Sequence, residues 1–509
     1  MDVIHNLAHG FEVALTAQNF FYCLLGAALG TLVGVLPGLG PLATIAMLLP
    51  VTFNLPAVAS LIMLSGIYYG AHHAGATTAI MLNMPGEPSS VVICFDGHPM
   101  ARQGRAGPAL CIAALSSFFA GCVAILIIAM FSPPLARVAL TFGAPEYTSV
   151  VVLALIAASS LSAGSLNVTL PMMLLGLLLG TVGTDTNSGL QRFTFGLSNV
   201  ADRLDFVVVA VGLFAFAEIV SRLEALDTVR PVSARVTGLL PTRADLKASW
   251  KAVLRGTALG SAFGILPGTG PLISSFAAYG MERRLAKDPS RFGEGAIEGV
   301  AGPEAANNAA ALTHFIPMLT LGIPAGAAMA LMLGALTIQG ITPGPGILTQ
   351  HPDLFWGVVA SMWIGNLMLL VLNLPLVSIW IRLLAIPYRL LYPAILVFCC
   401  IGVYSVANDP ADVVMMAGFG AFGYLLLKLG CPPAPLVLGF ILGPILEENL
   451  RRALLISRGD PTVFLTRPIS LAFLLAAAGL LAVSLSPRLR RGRAMVADRL
   501  REGGPGEEL

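Results

Sequence analysis

Two almost identical glycine- and proline-rich stretches stand 230 residues apart, each inside strongly apolar sequence. The first reads GVLPGLGPL from Gly34, and the second reads GILPGTGPL from Gly264. Glycine and proline interrupt helices, and an interrupted helix in a bilayer leaves backbone groups unpaired unless protein or a water-filled cavity supports them. Two interruptions in matching positions predict breaks that serve a function, although glycine and proline also occur in membrane helices as kinks and close-packing points.

The composition places the chain in a membrane. Of its 509 residues, 56% are hydrophobic and 11% are charged, whereas a soluble domain carries about 25% charged residues. Mostly apolar stretches recur at 110–131, 168–184, 206–220, 413–427 and 469–485. We therefore predict an all-α polytopic membrane protein with about 11 to 13 transmembrane segments. A transmembrane β-barrel would show shorter segments of alternating polarity.

Charge and cysteine content exclude several other classes. The net charge of +2 does not indicate nucleic acid, and the seven cysteines form no C-x-x-C pair, which fits small buried residues. The N-terminus carries Asp2 and Glu12 without a basic region, so we expect no cleaved signal peptide. Six arginines follow the last apolar stretch, which predicts a cytoplasmic C-terminus.

The matching stretches extend into an internal duplication. Aligned from Gly26 and from Gly256, they share eleven of seventeen residues. A looser match pairs 68–88 with 303–326, so that His72-His73 faces Asn307-Asn308. We predict two related, inverted halves. The expected divisions are a first membrane repeat at 1–225, a charged connecting segment at 226–249, a second membrane repeat at 250–465, a final transmembrane helix at 466–487, and a basic, then disordered tail at 488–509.

Broken helices in duplicated halves indicate the binding site of a secondary transporter. The second part of a broken helix presents free N–H groups and the positive end of its dipole, and both favour an anion. Asparagine amides can donate to a carboxylate or coordinate a cation. The candidate substrate-binding residues are Gly38, Leu39, Gly40, Pro41, Gly268, Thr269, Gly270, Pro271, Asn307 and Asn308.

Seven stretches, spread over residues 20–470, carry a family resemblance. They are FYCLLGAALGTLVGVLPGLGPL, MLNMPGEPSSVV, FDGHPMARQGRAGPAL, EGVAGPEAANNAA, PMLTLGIPAGAAMALMLGAL, GITPGP and GPILEENLRRALLISRGDPTVFLTRPIS. Together they resemble the large membrane subunit of the tripartite tricarboxylate transporters, the TctA family. The resemblance implies a multi-pass permease of the bacterial inner membrane that imports citrate-like di- and tricarboxylates. It implies two partners, a small TctB-like membrane subunit and a TctC-like periplasmic solute-binding protein.

The resemblance also implies symport driven by a Na⁺ or H⁺ gradient, with no cofactor. The sequence holds no G-x-x-x-x-G-K-[ST] phosphate loop for ATP. One segment departs from the family pattern, which resembles Y-Y-G-x-x-Y-G-G-S-T: after Tyr68 and Tyr69 this chain has His72 and His73. Histidine titrates near neutral pH, so both are candidates for a proton-linked role, with polar packing as the alternative. A metal site is not expected, because no further ligands lie nearby in sequence.

Oxygen-bearing side chains near the breaks are candidates for holding a coupling cation. They are Thr44, Asn83, Ser274, Ser275 and Glu304. The hydroxyls could instead bond back to the preceding helical turn, and Glu304 could instead start a helix at the membrane edge. We expect Glu87 at an aqueous mouth and His314 in ordinary packing.

Two other classes of function are open at this point, a channel and an intramembrane enzyme. The sequence has no H-E-x-x-H or G-x-S-x-G motif to support an enzyme. Duplicated broken segments suit alternating access better than a pore. The charged runs 281–292 and 447–452 are expected to be interfacial loops or helix ends, with docking of a partner subunit as the alternative.

Overall fold

The computed structural model describes residues 3–36, 40–161, 166–185, 188–196, 200–201, 204–223, 238–266, 270–377, 379–380 and 388–485. Of the candidate site residues, Gly38, Leu39, Gly268 and Thr269 lie outside these ranges. So do the first half of the charged connecting segment, residues 226–237, and the arginine-rich tail.

The described chain is almost entirely helical, which confirms the predicted fold class. Up to residue 223 the helices are α1 (Val3–Ala14), α2 (Ala17–Val35), α3 (Pro41–Thr52), α4 (Ala57–Leu82), α5 (Val91–Arg102), α6 (Ala106–Ala139), α7 (Ala144–Leu161), α8 (Leu166–Gly180), α9 (Phe206–Ala210) and α10 (Ala217–Leu223). A 3₁₀ turn at Pro88–Ser90 precedes α5, and a π-helical stretch at Val211–Phe216 joins α9 to α10. A two-stranded antiparallel hairpin, β1 (Gly183–Thr184) and β2 (Gln191–Arg192), follows α8.

The second part of the chain has the same character. Its helices are α11 (Arg243–Ile265), α12 (Gly270–Leu285), α13 (Glu298–Thr313), α14 (Phe315–Leu321), α15 (Ala327–Ile338), α16 (Ile347–Gln350), α17 (Pro352–Asn373), α18 (Tyr388–Ala407), α19 (Pro410–Lys428), α20 (Ala434–Ile456), α21 (Val463–Thr466) and α22 (Pro468–Leu485). A further 3₁₀ turn lies at Pro289–Arg291.

Helix breaks fall where the sequence places glycine and proline. α2 ends before the first hairpin and α3 starts with Pro41 directly after it, where a missing N–H costs nothing. α11 and α12 flank the second hairpin in the same way. Two further breaks follow α4 and α14, and we call them the first break and the second break. Asn83 (φ 55°) ends α4 and Gly322 (φ 70°) ends α14, both in the left-handed conformation.

The helix before each hairpin packs closely on the second helix after it. A Cβ added at Gly30 of α2 would lie 2.5 Å from the carbonyl oxygen of Ile67 in α4. One added at Gly260 of α11 would lie 2.2 Å from the carbonyl oxygen of Ala306 in α13. Only glycine lets two helix backbones approach so closely.

This packing sets the register between the two helix pairs. Ile67 and Ala306 are 239 residues apart, and so are the two left-handed residues, Asn83 and Gly322. In that register Tyr68 and Tyr69 correspond to Asn307 and Asn308. The sequence alignment, which placed His72 and His73 there, is therefore offset by about one helical turn.

The centre of the molecule is formed by α4 and α13. Every residue from Ala59 to Met81 in α4 is buried, as is every residue from Gly299 to Thr313 in α13. Large apolar side chains elsewhere face outward, as Val414 does at 73% exposure in α19. An exposed apolar surface around a buried interior is the arrangement expected of a protein surrounded by lipid.

Four described helices are long and apolar enough to cross a bilayer alone: Ala17–Val35, Ala106–Ala139, Pro352–Asn373 and Pro410–Lys428. Seven shorter apolar helices accompany them. The protein is thus a polytopic helical membrane protein, while the number of complete crossings stays a prediction. Short helices are compatible with spanning where a helix is broken and its backbone is covered by protein.

Candidate functional site

A buried group of polar side chains joins the end of the first break to α13. His72 Nδ1 in α4 lies 2.6 Å from Glu87 Oε2. Asn307 Nδ2 in α13 donates to Glu87 Oε1 at 3.1 Å, and the Ser89 hydroxyl donates to Asn307 Oδ1 at 2.8 Å. We call these four residues the Glu87 cluster. The Ser89 hydroxyl also contacts Glu87 directly.

The Glu87 cluster corrects one expectation from the sequence. Glu87 was expected at an aqueous mouth, yet it is 4% exposed and its carboxylate has three side-chain partners. A carboxylate withdrawn from water needs such partners, because desolvation otherwise disfavours its charge. The cluster thereby ties residues before and after the first break to a helix of the second half.

A second buried group forms one turn away along α13. Glu304 Oε1 accepts hydrogen bonds from the Ser117 hydroxyl of α6 at 2.7 Å and from Asn308 Nδ2 at 3.0 Å. The other oxygen, Oε2, has no partner among the described residues. Glu304 is fully buried inside α13, which starts at Glu298, so the alternative that Glu304 starts a helix is wrong. We call Ser117, Glu304 and Asn308 the Glu304 cluster.

The two asparagines of α13 therefore serve different groups. Asn307 belongs to the Glu87 cluster and Asn308 to the Glu304 cluster. Adjacent helical residues point about 100° apart, whereas Glu304 and Asn308, four apart, share a face. The structure separates what the sequence treated as one pair.

The hydroxyl candidates bond mainly to nearby backbone. Thr44 donates to Gly40 O at 3.2 Å in its own helix. Ser274 and Ser275 both approach Pro271 O, at 2.8 and 2.9 Å, and also reach carbonyls of α13. These contacts fit the back-bonding alternative and fasten α12 to α13. Asn83 is exposed and serves to end α4.

The two adjacent histidines also diverge. His72 pairs with Glu87, whereas neither ring nitrogen of the buried His73 has a partner among the described residues. His314, at the junction of α13 and α14, places Nδ1 3.2 Å from the Tyr68 hydroxyl. Tyr68 in turn packs edge-on against the His72 ring, with centroids 4.6 Å apart.

The described parts of the two hairpins lie in different surroundings. A Cβ at Gly40 would meet nothing within 4 Å, and Pro41 is buried at the start of α3. Gly270 and Pro271 start α12, where Gly270 has a φ of 57° and approaches His314. Of the described hairpin residues, Gly270 is thus brought next to a polar side chain of the interior, whereas Gly40 is not.

Sequence reasoning missed the partners Tyr68, Ser89 and Ser117. Ser89 stands in the quoted stretch MLNMPGEPSSVV, so its place beside a break was visible. Ser117 lies in an unbroken apolar helix, and nothing in the local sequence distinguishes it from a packing residue.

A large cavity of about 1030 Å³ lies beyond the second break, bordered by Gly322, Thr337, Phe440 and the β-hairpin. Its charged rim is a network in which Arg192 and Arg451 each contact both Asp185 and Glu447 at 2.6–3.0 Å. The charged run at 447–452 therefore serves in part to hold the β-hairpin on α20. The cavity reaches the break after α14 at Gly322, and the Glu87 cluster does not line it.

Fold and site together define a class: a polytopic helical membrane protein with interrupted helices and buried polar clusters, one of which adjoins an interruption. The chain belongs to the tripartite tricarboxylate transporter TctA family, whose pattern it matches over residues 20–438. That family's description names a tripartite transport system, so this chain is a subunit of a transporter.

Two relatives from Agrobacterium vitis extend the similarity. A 52.8 kDa protein in the TAR-I ttuC' 3' region is 55% identical over 493 residues, which is 97% of this chain and 98% of that protein. A protein in the TAR-II ttuC' 3' region is 57% identical over 237 residues, 47% of this chain and 98% of that protein. No solved structure matches the chain.

Proposed function

We propose that this chain is the large permease subunit of a binding-protein-dependent symporter that imports di- and tricarboxylates across the bacterial inner membrane. Its partners are a small TctB-like membrane subunit and a TctC-like periplasmic binding protein that delivers the substrate. The observation that carries the proposal is the Glu87 cluster, a buried set of charged and polar groups where two interrupted elements meet. Ionisable groups inside a membrane protein are rare and mark substrate and ion pathways, which supports a role in transport.

The architecture supports two related halves that work by alternating access. In each half, the glycines of the helix before the hairpin pack on the second helix after it, α2 on α4 and α11 on α13. Each half also has a further break at a left-handed residue. Such repeats place substrate at their interface, and one half rocks or slides against the other. The two polar clusters on α13 couple the halves, because Glu87 and Ser117 belong to the first and α13 to the second.

The coupling ion is either Na⁺ or H⁺, and the two clusters suit different ions. The Glu304 cluster offers carboxylate, hydroxyl and amide oxygens, which are ligands for a hard cation. The His72–Glu87 pair can take up a proton. In both cases a bound cation offsets the negative charge of the carboxylate substrate in a medium of low dielectric constant. The arginines of the C-terminal tail favour a cytoplasmic location for that end of the chain.

Reconstituted transport tests the proposal. The chain, its small subunit and the binding protein are placed in proteoliposomes and given labelled succinate, malate, tartrate and citrate. A Na⁺ gradient and a H⁺ gradient are imposed in separate experiments. Accumulation above the external concentration under either gradient supports the symporter and identifies the ion. Equilibration without accumulation would favour a channel, and no entry of any acid into vesicles holding the folded complex would refute the proposal.

A further inference from the structure

His314 is a buried side chain with only one of its two ring nitrogens occupied. It is 2% exposed, and its Nδ1 lies 3.2 Å from the Tyr68 hydroxyl. Among the described residues, Nε2 contacts no donor or acceptor. A buried polar atom without a hydrogen bond costs free energy. This nitrogen, without a partner among the described residues, points to a bound ligand.

Two helix starts approach the same edge of this ring. α12 starts at Gly270, and α15 starts directly after Gly326. A Cβ added at Gly270 would lie 4.0 Å from His314 Cε1, and one at Gly326 would lie 3.7 Å from the same atom. Nothing else described outside the glycine's own segment comes within 4 Å of either position. Among the described residues, two glycines therefore border the space in front of the histidine.

The electrostatics of this space favour an anion. The first turn of a helix has N–H groups without intrahelical partners, and its dipole places partial positive charge there. Neither α12 nor α15 has an acidic residue in its first turn. No carboxylate from those turns therefore occupies the space already.

The first half of the chain provides an internal comparison in the same 239-residue register. Glu87 stands where Gly326 stands, and Gly75 stands where His314 stands. The Glu87 side chain packs over Gly75, where an added Cβ would lie 2.9 Å from Glu87 Cγ. The first break thus carries its own carboxylate with a histidine partner, His72. The second break carries a histidine and no carboxylate.

We propose that His314 Nε2 and the first turns of α12 and α15 form a subsite that binds one carboxylate group of the transported acid. This subsite rests on the proposed function. The subsite requires the tautomer in which the Tyr68 hydroxyl donates to Nδ1, so that the ring proton lies on Nε2 and makes that nitrogen a donor. The substrate carboxylate then accepts from Nε2 and from backbone N–H groups, as anions do at helix N-termini.

Three substitutions at His314 separate a donor at Nε2 from ring packing. His314→Gln keeps an N–H donor near the Nε2 position, His314→Asn keeps one near Nδ1, and His314→Phe keeps the ring without a donor. Uptake of succinate, malate, tartrate and citrate is measured in proteoliposomes holding the complete complex, together with citrate binding to the purified chain. His351→Gln is the matched control, because His351 is exposed.

We expect His314→Phe and His314→Asn to raise the KM for the accumulated acid about 10- to 100-fold, as for the loss of a hydrogen bond to a charged group. His314→Gln should raise KM less than tenfold. Tyr68→Phe should raise KM a few-fold, because the ring is then no longer held in the tautomer with its proton on Nε2. The maximal rate should change less than KM, and the control should match the wild type. Melting temperatures of the detergent-solubilised complex verify that each variant folds.

Three results would overturn the subsite. One is an unchanged KM in the folded His314→Phe complex. Another is a smaller rise in KM for His314→Asn than for His314→Gln, since the donor would then lie at Nδ1. The third is an equal rise in KM in His314→Gln and His314→Asn together with a lowered melting temperature, which would make His314 a packing residue. Failure of the wild-type complex to accumulate any of the four acids would instead overturn the proposed function itself, and the subsite with it.

Discussion

Gly260→Ala tests whether close helix packing positions the Glu87 cluster. Gly260 lies on α11 against the backbone of α13, directly beside Asn307. A Cβ there would lie 2.2 Å from the carbonyl oxygen of Ala306, which is about 1 Å closer than non-bonded atoms normally approach. The interior is close-packed, so the two helices must separate, at a cost of about 1–3 kcal/mol.

The separation should affect transport as well as stability. Asn307 donates to Glu87 across 3.1 Å, and a shift of about 1 Å takes this distance beyond hydrogen-bonding range. Loss of a hydrogen bond to a charged group is worth about 1.5–3 kcal/mol. If the bond supports the transport cycle, uptake should fall roughly 10- to 100-fold.

Initial uptake rates in proteoliposomes and melting temperatures of the purified complex measure both effects. Gly280→Ala is the matched control, since a Cβ at Gly280 in α12 would meet nothing within 4 Å. It should transport like the wild type and melt at the same temperature or slightly higher, because alanine favours a helix. The reasoning is refuted if Gly260→Ala keeps wild-type uptake and melting temperature.

Three further substitutions probe other parts of the structure. Asp96 Oδ1 accepts three backbone N–H bonds at 2.8–2.9 Å from the loop before α13, so Asp96→Ala should lower the melting temperature by several degrees and Asp96→Asn by less. Glu304→Gln keeps an acceptor for Ser117 but removes the ionisable carboxyl group, so the complex should assemble while the half-saturating Na⁺ or H⁺ concentration for uptake rises; an unchanged ion dependence would exclude Glu304 from coupling. Burial raises the pKa of Asp245, but hydrogen bonds from Thr242 and Arg105 more than compensate and hold it below its usual value. The ionised Asp245 therefore stabilises the protein above the unfolded pKa of about 4, and this contribution is lost as pH falls further. Asp245→Asn should reduce the dependence of the melting temperature on pH in that range.

Periodicity and turn chemistry were enough to predict the helical membrane fold. The apolar stretch at 110–131 lies within α6, and the stretch at 469–485 lies within α22. The breaks at the two hairpins follow from proline and glycine, whose backbone preferences act locally. These features could be predicted because each depends on residues close together in the chain.

The partners of the site residues could not be predicted in the same way. Whether Glu87 faces water or His72 depends on which helix packs above the break, and the chain separates Glu87 from Asn307 by 220 residues. The offset of the polar pair has a related cause. The sequence alignment matched polar residue types, whereas the helices are in register by their small residues, where the backbones meet.

Adjacent candidate residues also turned out to have separate roles. Asn307 and Asn308 looked like one site in the sequence, yet a helix turns adjacent side chains to different neighbours. In the structure, Asn307 donates a hydrogen bond to Glu87 and Asn308 donates one to Glu304. The same geometry separates His72, which is paired, from His73, which has no partner among the described residues.

The central claim is that carboxylate transport depends on the Glu87 cluster. The most direct measurement is gradient-driven uptake by the reconstituted complex carrying Glu87→Gln, with Glu294→Gln as the control because Glu294 is exposed. We predict that Glu87→Gln assembles but accumulates carboxylate at less than about a tenth of the wild-type rate, in line with loss of a buried charged partner, while the control is unchanged. Wild-type accumulation by a folded Glu87→Gln complex would contradict the account.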